Sequence, residues 1–463
     1  MKYICLKTEW GCVMENKKLY LNKLIKSHYE HTPLCFIQSF GCAQNFADGE
    51  KLVGYLEDVG FYSASSIDEA DLIIYNTCAI RENAEEKVFG LIGELKHLKL
   101  AKPDVIIGIC GCMAQQEHIS KRIKKTYNQV DLVFGTFSYT QLYDMLCEVL
   151  ESRTRVFNNN ENGTDLSYVY QKRTDKVIAN VPIMYGCNNF CSYCIVPYVR
   201  GRERSRPFDE VVSEVTELVL KGYKEINLLG QNVNSYEYGF PKLLRALNDI
   251  EGDFRIRFMS SHPKDASFDL IDAICECEKV CKHLHLPVQC GNDEILRQMN
   301  RKYTTSDYLK IVDYARNKIP DFSFSTDIIV GFPGETYEQF CDTKEFIKRV
   351  SYDNIYSFVY SKRNGTKAAL LEDNISSKEK GLWLRELILE QREVATRSLS
   401  KYIGKILKVL PTSMSDNNEG MLTGKCDENI IVEFLGDKSL IGDFVNIKIL
   451  KATNWALLGE VAN

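Results

Sequence analysis

Two blocks of the 463-residue sequence alternate short apolar runs with amphipathic segments, and this alternation limits the fold more than any other feature. In the first block, residues 34–150, the runs read LCFIQSF, DLIIYNT, DVIIGIC and VDLVFGT. Runs rich in Ile, Val and Leu are typical of parallel strands that are buried on both faces, with helices between them. The first block is therefore predicted to be a doubly wound α/β domain.

The alternation resumes in a second block between residue 177 and about residue 375. Its six candidate strands are VIANVPIMY, EINLLG, RIRFMS, HLHLPV, FSFSTDIIVGF and IYSFVY. Six strand–helix repeats predict a full or partial barrel of parallel strands, and with the long helix that follows this domain covers residues 177–396. Residues 397–463 contain short β-like runs separated by Asn, Asp and Gly, which predict a small β-barrel.

Two segments lack a clear pattern. Residues 1–33 are polar and mixed, and we interpret them as a loosely attached N-terminal extension. Residues 151–176 contain Asn-Asn-Asn and Asn-Gly and few apolar residues, so they are predicted to be a linker. The sequence as a whole therefore predicts an α/β multidomain chain.

Charge and composition limit the partners and the compartment. With 58 Lys and Arg against 63 Asp and Glu, the net charge is −5, so any nucleic-acid binding must use local patches. The sequence has neither an apolar run typical of a signal peptide at its start nor a window of about 20 apolar residues. Together with seventeen cysteines, these features predict a cytoplasmic protein without membrane contact, in which some thiols bind metal.

The strongest local signal is the Cys-x3-Cys-x2-Cys spacing of Cys187, Cys191 and Cys194, directly after the first predicted strand of the second block. Three thiolates can ligate three irons of a 4Fe-4S cluster and leave the fourth iron open for another ligand. A zinc knuckle is the alternative, but structural zinc normally takes four protein ligands, and no fourth Cys or His lies nearby in the sequence. We therefore predict a 4Fe-4S cluster with an open iron.

A second set of thiols is dispersed through the first block. Cys42, Cys78 and Cys112 each follow an apolar strand at its turn into a helix. In a doubly wound sheet these turns gather at one edge, so the three thiols are expected to meet and to hold a second metal cluster. The alternative is that each is a small buried apolar residue. Cys110 is a second candidate for the third ligand, but Cys112 lies at the turn.

Four arginines occur at alternate positions after the Cys-x3-Cys-x2-Cys loop. In an extended loop they would form one row suited to phosphates or to a carboxylate, and a solvated rim is the alternative. The four are Arg200, Arg202, Arg204 and Arg206. We expect Arg202 to contact a cofactor, and Arg204 and Arg206 to contact the substrate.

These segments resemble known families. The loop MYGCNNFCSYCIVPYVRGRERSRP resembles that of the radical S-adenosylmethionine superfamily, and FGCAQN, NTCAIRENAE and GCMAQ resemble the three cysteine motifs of the methylthiotransferase family. LLGQNVNSY, RFMSSHPKD, HLHLPVQCGNDEILRQMNRKYT and STDIIVGFPGET extend the resemblance. The C-terminal β-rich segment resembles the RNA-binding TRAM domain, although its own charges balance. The sequence departs from the family pattern at Ala43, Gln44 and Cys290 and in YSKRNGT.

The resemblance implies two 4Fe-4S clusters and S-adenosylmethionine as methyl donor and radical source. The open iron of the barrel cluster would bind S-adenosylmethionine and give a 5′-deoxyadenosyl radical, while the auxiliary cluster of the first block would hold or supply sulfur. Gln231 and Ser261, each at the end of a predicted strand, would contact the methionine or ribose of the cofactor. A closed cavity at the interface of the two α/β domains would protect the radical from water.

Within the family, the segments resemble most closely the enzymes that insert a methylthio group at carbon 2 of isopentenyladenosine, next to the anticodon of tRNA. The alternatives are threonylcarbamoyl-adenosine in tRNA, or an aspartate of a small-subunit ribosomal protein. A non-catalytic iron–sulfur regulator that binds RNA is a more distant alternative. The implied partners are tRNA and a reducing protein such as a flavodoxin or a ferredoxin.

Overall fold

The computed structural model describes residues 9–79, 82–160, 171–416 and 418–462, and it divides into two compact units. The first unit comprises the described residues up to Thr174 together with the short segment Tyr198–Arg200. The second unit comprises Asp175–Pro197 and the described residues from Gly201 onward.

A six-stranded parallel sheet forms the centre of the first unit, with the strand order β2-β1-β3-β4-β5-β6. The strands are β1 (Leu34–Ser39), β2 (Tyr62–Ser63), β3 (Leu72–Thr77), β4 (Ile106–Gly111), β5 (Leu132–Phe134) and β6 (Val156–Asn158). Every residue of β3 and β4 is buried, as expected for central strands covered on both faces. The predicted doubly wound α/β domain is confirmed.

The helices of the first unit are α1 (Glu9–His28), α2 (Ala43–Asp58), α3 (Glu82–Ala101), α4 (Glu117–Thr126) and α5 (Leu142–Ser152). Helix α1 lies in the segment that we expected to be loosely attached, yet it packs against α5. Leu21 and Ile25 are fully buried in the same apolar cluster as Leu142 and Leu146. The short apolar stripe among many lysines hid this packing from the sequence analysis.

The described residues of the segment 151–176, which we predicted to be a linker, belong to the first unit as far as Thr174. Strand β6 pairs in parallel with β5, and Val156 faces Leu132 in the register. The described residues after position 170 also bind to α2, where the Lys172 backbone N–H donates to the Glu50 carbonyl at 3.1 Å. The Asn-rich stretch beside this three-residue strand masked its signal. Residues 161–170 lie outside the described chain.

The second unit contains six parallel strands that alternate with helices. They are β7 (Ile178–Pro182), β10 (Glu225–Leu229), β11 (Arg255–Phe258), β12 (His283–His285), β13 (Ser323–Val330) and β14 (Asn354–Val359), and the antiparallel pair β8 (Met184–Tyr185) and β9 (Arg204–Ser205) lies after β7. They form the two separate sheets β11-β10-β7 and β12-β13-β14, and a parallel bridge joins Ile256 of β11 to Val280, which precedes β12. In the described chain this is the partial form of the predicted barrel.

Eight helices accompany these strands in the described chain. They are α6 (Val196–Arg200), α7 (Phe208–Leu220), α8 (Phe240–Asn248), α9 (Phe268–Glu276), α10 (Asp293–Gln298), α11 (Thr305–Lys318), α12 (Tyr337–Val350) and α13 (Ser377–Ser400). A capping side chain starts five of them, α9 to α13. Capping boxes start α11, α12 and α13, with Thr304, Thr336 and Ser376 as the N-cap residues. Helix α6 crosses the boundary between the units, because its last three residues belong to the first.

A closed five-stranded barrel ends the chain, with the order β15-β16-β17-β19-β18. Its strands are β15 (Ile406–Met414), β16 (Met421–Cys426), β17 (Ile431–Leu435), β18 (Val445–Ala452) and β19 (Ala456–Val461). Val409, Leu422, Val432 and Phe434 fill its core, so the predicted small β-barrel is confirmed.

Among the described helices, none combines the length and the apolar character needed to cross a membrane.

Candidate metal centres

The first unit brings Cys42, Cys78 and Cys112 together, and we call these residues the auxiliary trio. Cys42 is the N-cap residue of α2, Cys78 directly follows β3, and Cys112 directly follows β4. A hydrogen bond with the Cys78 thiol lowers the pKa of Cys42 to about 6, and Arg200 contributes in the same direction against the effect of burial. The thiols meet because the carboxyl ends of parallel strands lie at the same edge of the sheet.

Gly41 makes room for this contact. It has a φ of +112°, and a Cβ atom at this position would lie 2.3 Å from the Cβ of Cys78. Any larger residue would therefore push the turn that carries Cys42 away from Cys78.

Arg200 is in contact with the third thiol. Its Nε–H donates to Cys112 Sγ at 3.0 Å, its Nη1 to Asp48 Oδ2 at 2.6 Å and its Nη2 to Asn45 Oδ1 at 2.6 Å. The guanidinium is only 6% exposed. Burial raises the pKa of Cys112 to about 11, and Arg200 opposes this shift. Cys110, in contrast, is fully buried within β4 in the apolar cluster of the first unit.

The second unit brings together Cys187, Cys191 and Cys194, which we call the barrel trio. The Cys194 backbone N–H donates to the Cys191 carbonyl at 2.9 Å, so the loop turns tightly between these two thiols. Burial raises the pKa of Cys187 to about 11 and that of Cys194 to about 12, and in both cases the neighbouring Cys191 adds to the rise. Both Cys187 and Cys191 raise the pKa of Cys194, which indicates that the three thiols lie close together.

Two residues hold the loop of the barrel trio. Gly186 has a φ of +77°, and a Cβ atom there would lie 2.1 Å from the carbonyl oxygen of Arg202. Arg301, which is buried, donates from Nη1 to Cys191 Sγ at 3.5 Å. Arg301 was not predicted as a site residue: it lies in the family-like segment ending NRKYT, but its distance from Cys191 along the chain hides the contact.

The donors of both trios fit iron–sulfur clusters. Each trio offers three thiols beside a buried arginine, Arg200 in one and Arg301 in the other, and a nearby cation offsets the negative charge of ligating thiolates. Within the described ranges, no three His, Cys, Asp or Glu side chains are arranged to hold one metal ion. A 4Fe-4S cluster does not require such an arrangement, because each thiolate binds a different iron.

The residues predicted to contact the cofactor lie near the barrel trio. Gln231 Oε1 accepts from the backbone N–H of Gly186, so this side chain holds the residue that precedes Cys187. Ser261 Oγ and His262 Nε2 are buried and have no hydrogen-bond partner among the described residues. Burial, with Arg301 and Lys264 nearby, lowers the pKa of His262 to about 2, so its ring is neutral. Two unpaired polar atoms at the end of β11 suit a polar ligand.

The four arginines do not form the single row that we expected. Arg200 belongs to the first unit and is buried on Asp48. Arg206 is also buried, and its Nη1 donates to Glu214 Oε2 at 2.6 Å and to the Pro182 carbonyl at 2.9 Å. Arg202 lies over the Phe190 ring at 4.3 Å, and Arg204 is exposed on β9. Arg200 is the last residue of helix α6, so it lies outside any extended backbone that could carry a row.

Family models match three parts of the chain. Residues 181–347 match the radical SAM superfamily, residues 34–135 match the uncharacterized protein family UPF0004, and residues 400–462 match the TRAM domain. Two solved structures share the fold: TsrM from Kitasatospora setae, a radical S-adenosylmethionine methyltransferase, and the cobalamin-dependent enzyme OxsB. TsrM has a TM-score of 0.55 and 13% identity over 73% of this chain and 77% of its own. OxsB has a TM-score of 0.52 and 11% identity over 83% and 62%.

Curated relatives are similar along almost the whole sequence. The tRNA-2-methylthio-N(6)-dimethylallyladenosine synthase of Acetivibrio thermocellus is 46% identical over 96% of this chain and 94% of its own length. The enzyme of the same name from Thermoanaerobacter pseudethanolicus is 46% identical over 92% of each chain. With the matching domains and both thiol trios present, the chain belongs to the radical S-adenosylmethionine family of tRNA-2-methylthio-N(6)-dimethylallyladenosine synthases.

Proposed function

We propose that this protein adds a methylthio group to carbon 2 of N6-isopentenyladenosine, next to the anticodon of tRNA. The observation that carries the proposal is the presence of two separate thiol trios, each beside a buried arginine, in a chain whose relatives bear this enzyme name. A radical enzyme with a single cluster would need only the barrel trio. The auxiliary trio supplies ligands for the second centre that sulfur transfer requires.

The barrel trio would hold one 4Fe-4S cluster and the auxiliary trio the other. With S-adenosylmethionine bound, these groups supply a 5′-deoxyadenosyl radical, a methyl group and sulfur. The residues of the chain itself orient the cofactor and exclude water from the site. Gln231 fixes the turn at Gly186, while Ser261 and the neutral His262 offer unpaired polar atoms to the cofactor. Arg202 and Arg204 remain candidates for contact with the cofactor and with the substrate, respectively.

A cleft between α13 and the C-terminal barrel supports tRNA as the substrate. It has a volume of about 970 Å³, and its lining includes three cations and one carboxylate beside an indole: Arg392, Arg397, Lys451, Glu393 and Trp455. The indole of Trp455 is 44% exposed. Clustered cations attract the phosphate backbone, and an exposed aromatic ring can stack on a base. This local patch meets the requirement that an acidic chain bind RNA without help from its net charge.

We propose further that the enzyme works in the cytoplasm, where tRNA is modified, and that a flavodoxin or a ferredoxin supplies its electrons. The many free thiols are consistent with a reducing compartment. Anaerobic assays with each candidate reductant and S-adenosylmethionine would identify the donor through the rate of 5′-deoxyadenosine release.

Iron analysis after anaerobic reconstitution tests the two centres. We expect about eight irons per chain, because two 4Fe-4S clusters are present. In Cys42→Ala the iron content should fall by half while 5′-deoxyadenosine still forms, whereas in Cys191→Ala 5′-deoxyadenosine should be lost. About four irons in the unmutated chain would contradict a second cluster.

Nucleoside analysis tests the substrate. In a deletion strain, mass spectrometry of tRNA should show isopentenyladenosine without its methylthio group, and the wild-type gene should restore the group. Unchanged methylthio-isopentenyladenosine in that strain would refute the proposed substrate. Loss of the methylthio group from threonylcarbamoyl-adenosine instead would redirect the assignment to that nucleoside.

A further inference from the structure

The guanidinium of Arg200 is fixed from three sides inside the first unit. Asn45 and Asp48, which accept from its two terminal nitrogens, lie in α2 and are fully buried. Asp48 is itself held by Gln44, whose Nε2 donates to Asp48 Oδ1 at 3.0 Å. Helix α2 starts directly after Cys42, so one element supplies both a thiol of the auxiliary trio and the anchors of Arg200.

The third side of the guanidinium faces a thiol. The Nε–H of Arg200 donates to Cys112 Sγ at 3.0 Å, a short distance for a bond to sulfur. The Arg200–Asp48 ion pair needs only the terminal nitrogens, so charge balance between these two residues does not require Nε to face Cys112. A second arginine of the same segment, Arg206, is equally buried and is paired with Glu214, but its Nε has no partner among the described residues. Contact with sulfur therefore distinguishes Arg200 from Arg206.

We propose that Arg200 is a positioning residue of the auxiliary cluster, whose Nε–H bond to the Cys112 thiolate stabilises the more negative, reduced state of that cluster. Hydrogen bonds to ligand sulfurs and nearby charge are the means by which a protein sets such a potential. The inference rests on the proposed function only in requiring that the auxiliary trio hold a 4Fe-4S cluster. Asp48 limits the effect, because its carboxylate offsets part of the positive charge.

The test uses the full-length chain with Cys187, Cys191 and Cys194 replaced by Ala, which retains only the auxiliary trio. An anaerobic redox titration followed by electron paramagnetic resonance then reports one cluster. We expect Arg200→Met to lower the reduced-to-oxidised ratio at a fixed potential about tenfold, equivalent to about 59 mV for one electron. Arg200→Lys keeps the charge but loses the planar fork. Its potential should therefore lie between those of Arg200→Met and the parent.

Two further variants separate this role from a structural one. Arg206→Met removes the other buried arginine of the segment and should leave the potential unchanged. Asp48→Asn removes the opposing charge and should shift the potential upward, opposite to Arg200→Met, which keeps the inference testable if Arg200→Met does not fold. If Arg200→Lys and Asp48→Asn both have the same potential as the parent, the proposed role of Arg200 is wrong. A parent without iron would instead refute the auxiliary cluster and thus the proposed function.

Discussion

Glu335 is a buried carboxylate at the carboxyl end of β13. Its Oε2 accepts the backbone N–H groups of Gly331 and Phe332 at 2.7 and 3.1 Å, yet burial outweighs these bonds and raises its pKa to about 7. A carboxyl group with a raised pKa binds its proton more tightly in the folded state than in the unfolded state. Its contribution to stability is therefore complete below pH 4.5, the ordinary value, and is lost as the pH rises through about 7.

We expect Glu335→Gln to flatten this pH dependence, because a neutral amide stays uncharged. Between pH 5 and pH 8 the parent should lose about 2.5 kcal/mol of unfolding free energy that the variant retains. Urea unfolding at several pH values measures the difference. Glu338→Gln, at an exposed site three residues later, should show the same pH dependence of the unfolding free energy as the parent. Equal slopes in the parent and Glu335→Gln would contradict the role of burial.

Gly186 carries both a left-handed backbone and a close contact. Gly186→Ala would place a Cβ atom against the Arg202 carbonyl, so we expect the barrel trio to lose its arrangement and the iron content to fall by about half. Gly222→Ala is the matched control, since Gly222 has a φ of +90° but nothing lies within 4 Å of its added Cβ. Gly222→Ala should lower the free energy of unfolding by about 1 kcal/mol and should keep its full iron content. Full iron in Gly186→Ala would show that the loop adapts.

At the scale of elements, α1 is an integral part of the first unit. Leu21 is fully buried against α5, so Leu21→Ala should lower the free energy of unfolding by about 3 kcal/mol through the cavity that it leaves. Leu19→Ala in the same helix is the control, because Leu19 is 54% exposed and should change stability by less than about 0.5 kcal/mol. Urea unfolding followed by circular dichroism compares them. Similar losses in both variants would contradict the packing of α1.

The sequence predicts elements well where the pattern of apolar residues is long and regular. The four apolar runs of the first block and the six of the second all became strands of parallel sheets, because their composition suits burial on both faces. Elements that depend on packing against a distant partner escaped prediction, whatever their length. Strand β6 has three residues and depends on pairing with β5, and α1 depends on packing against α5, so neither has a strong local signal.

Binding of tRNA by the protein should depend on the cleft between α13 and the C-terminal barrel. Arg397→Ala and Lys451→Ala should each weaken binding and reduce its salt dependence, and Trp455→Ala should weaken it by about 1–3 kcal/mol through lost stacking. Fluorescence anisotropy with an anticodon stem-loop at several salt concentrations measures both effects. Arg385→Ala, an exposed arginine of α13 outside the cleft lining, is the control. Unchanged affinity in all three cleft variants would exclude this surface.

The thiol trios show what the sequence could reveal about the site. The convergence of the auxiliary trio follows from strand order, since turns at the carboxyl ends of parallel strands meet, and that of the barrel trio follows from its close spacing in one loop. The arginines could not be assigned in the same way. Arg200 pairs with Asp48, far away along the chain, and Arg206 pairs with Glu214 on α7, so both are buried rather than arrayed on a surface. Alternate spacing indicates a possible row, but it does not show that Arg200 ends a helix or that Arg200 and Arg206 have distant partners.

The assignment of Tyr198–Arg200 to the first unit has a consequence for synthesis on the ribosome. A fragment that ends at Thr174 already has the whole parallel sheet, but Asp48 has no guanidinium opposite it. The first unit therefore cannot reach its final state as soon as its main segment emerges, as a contiguous domain would. It must wait until translation has passed Arg200, by which time the cysteines of the barrel trio have been made as well.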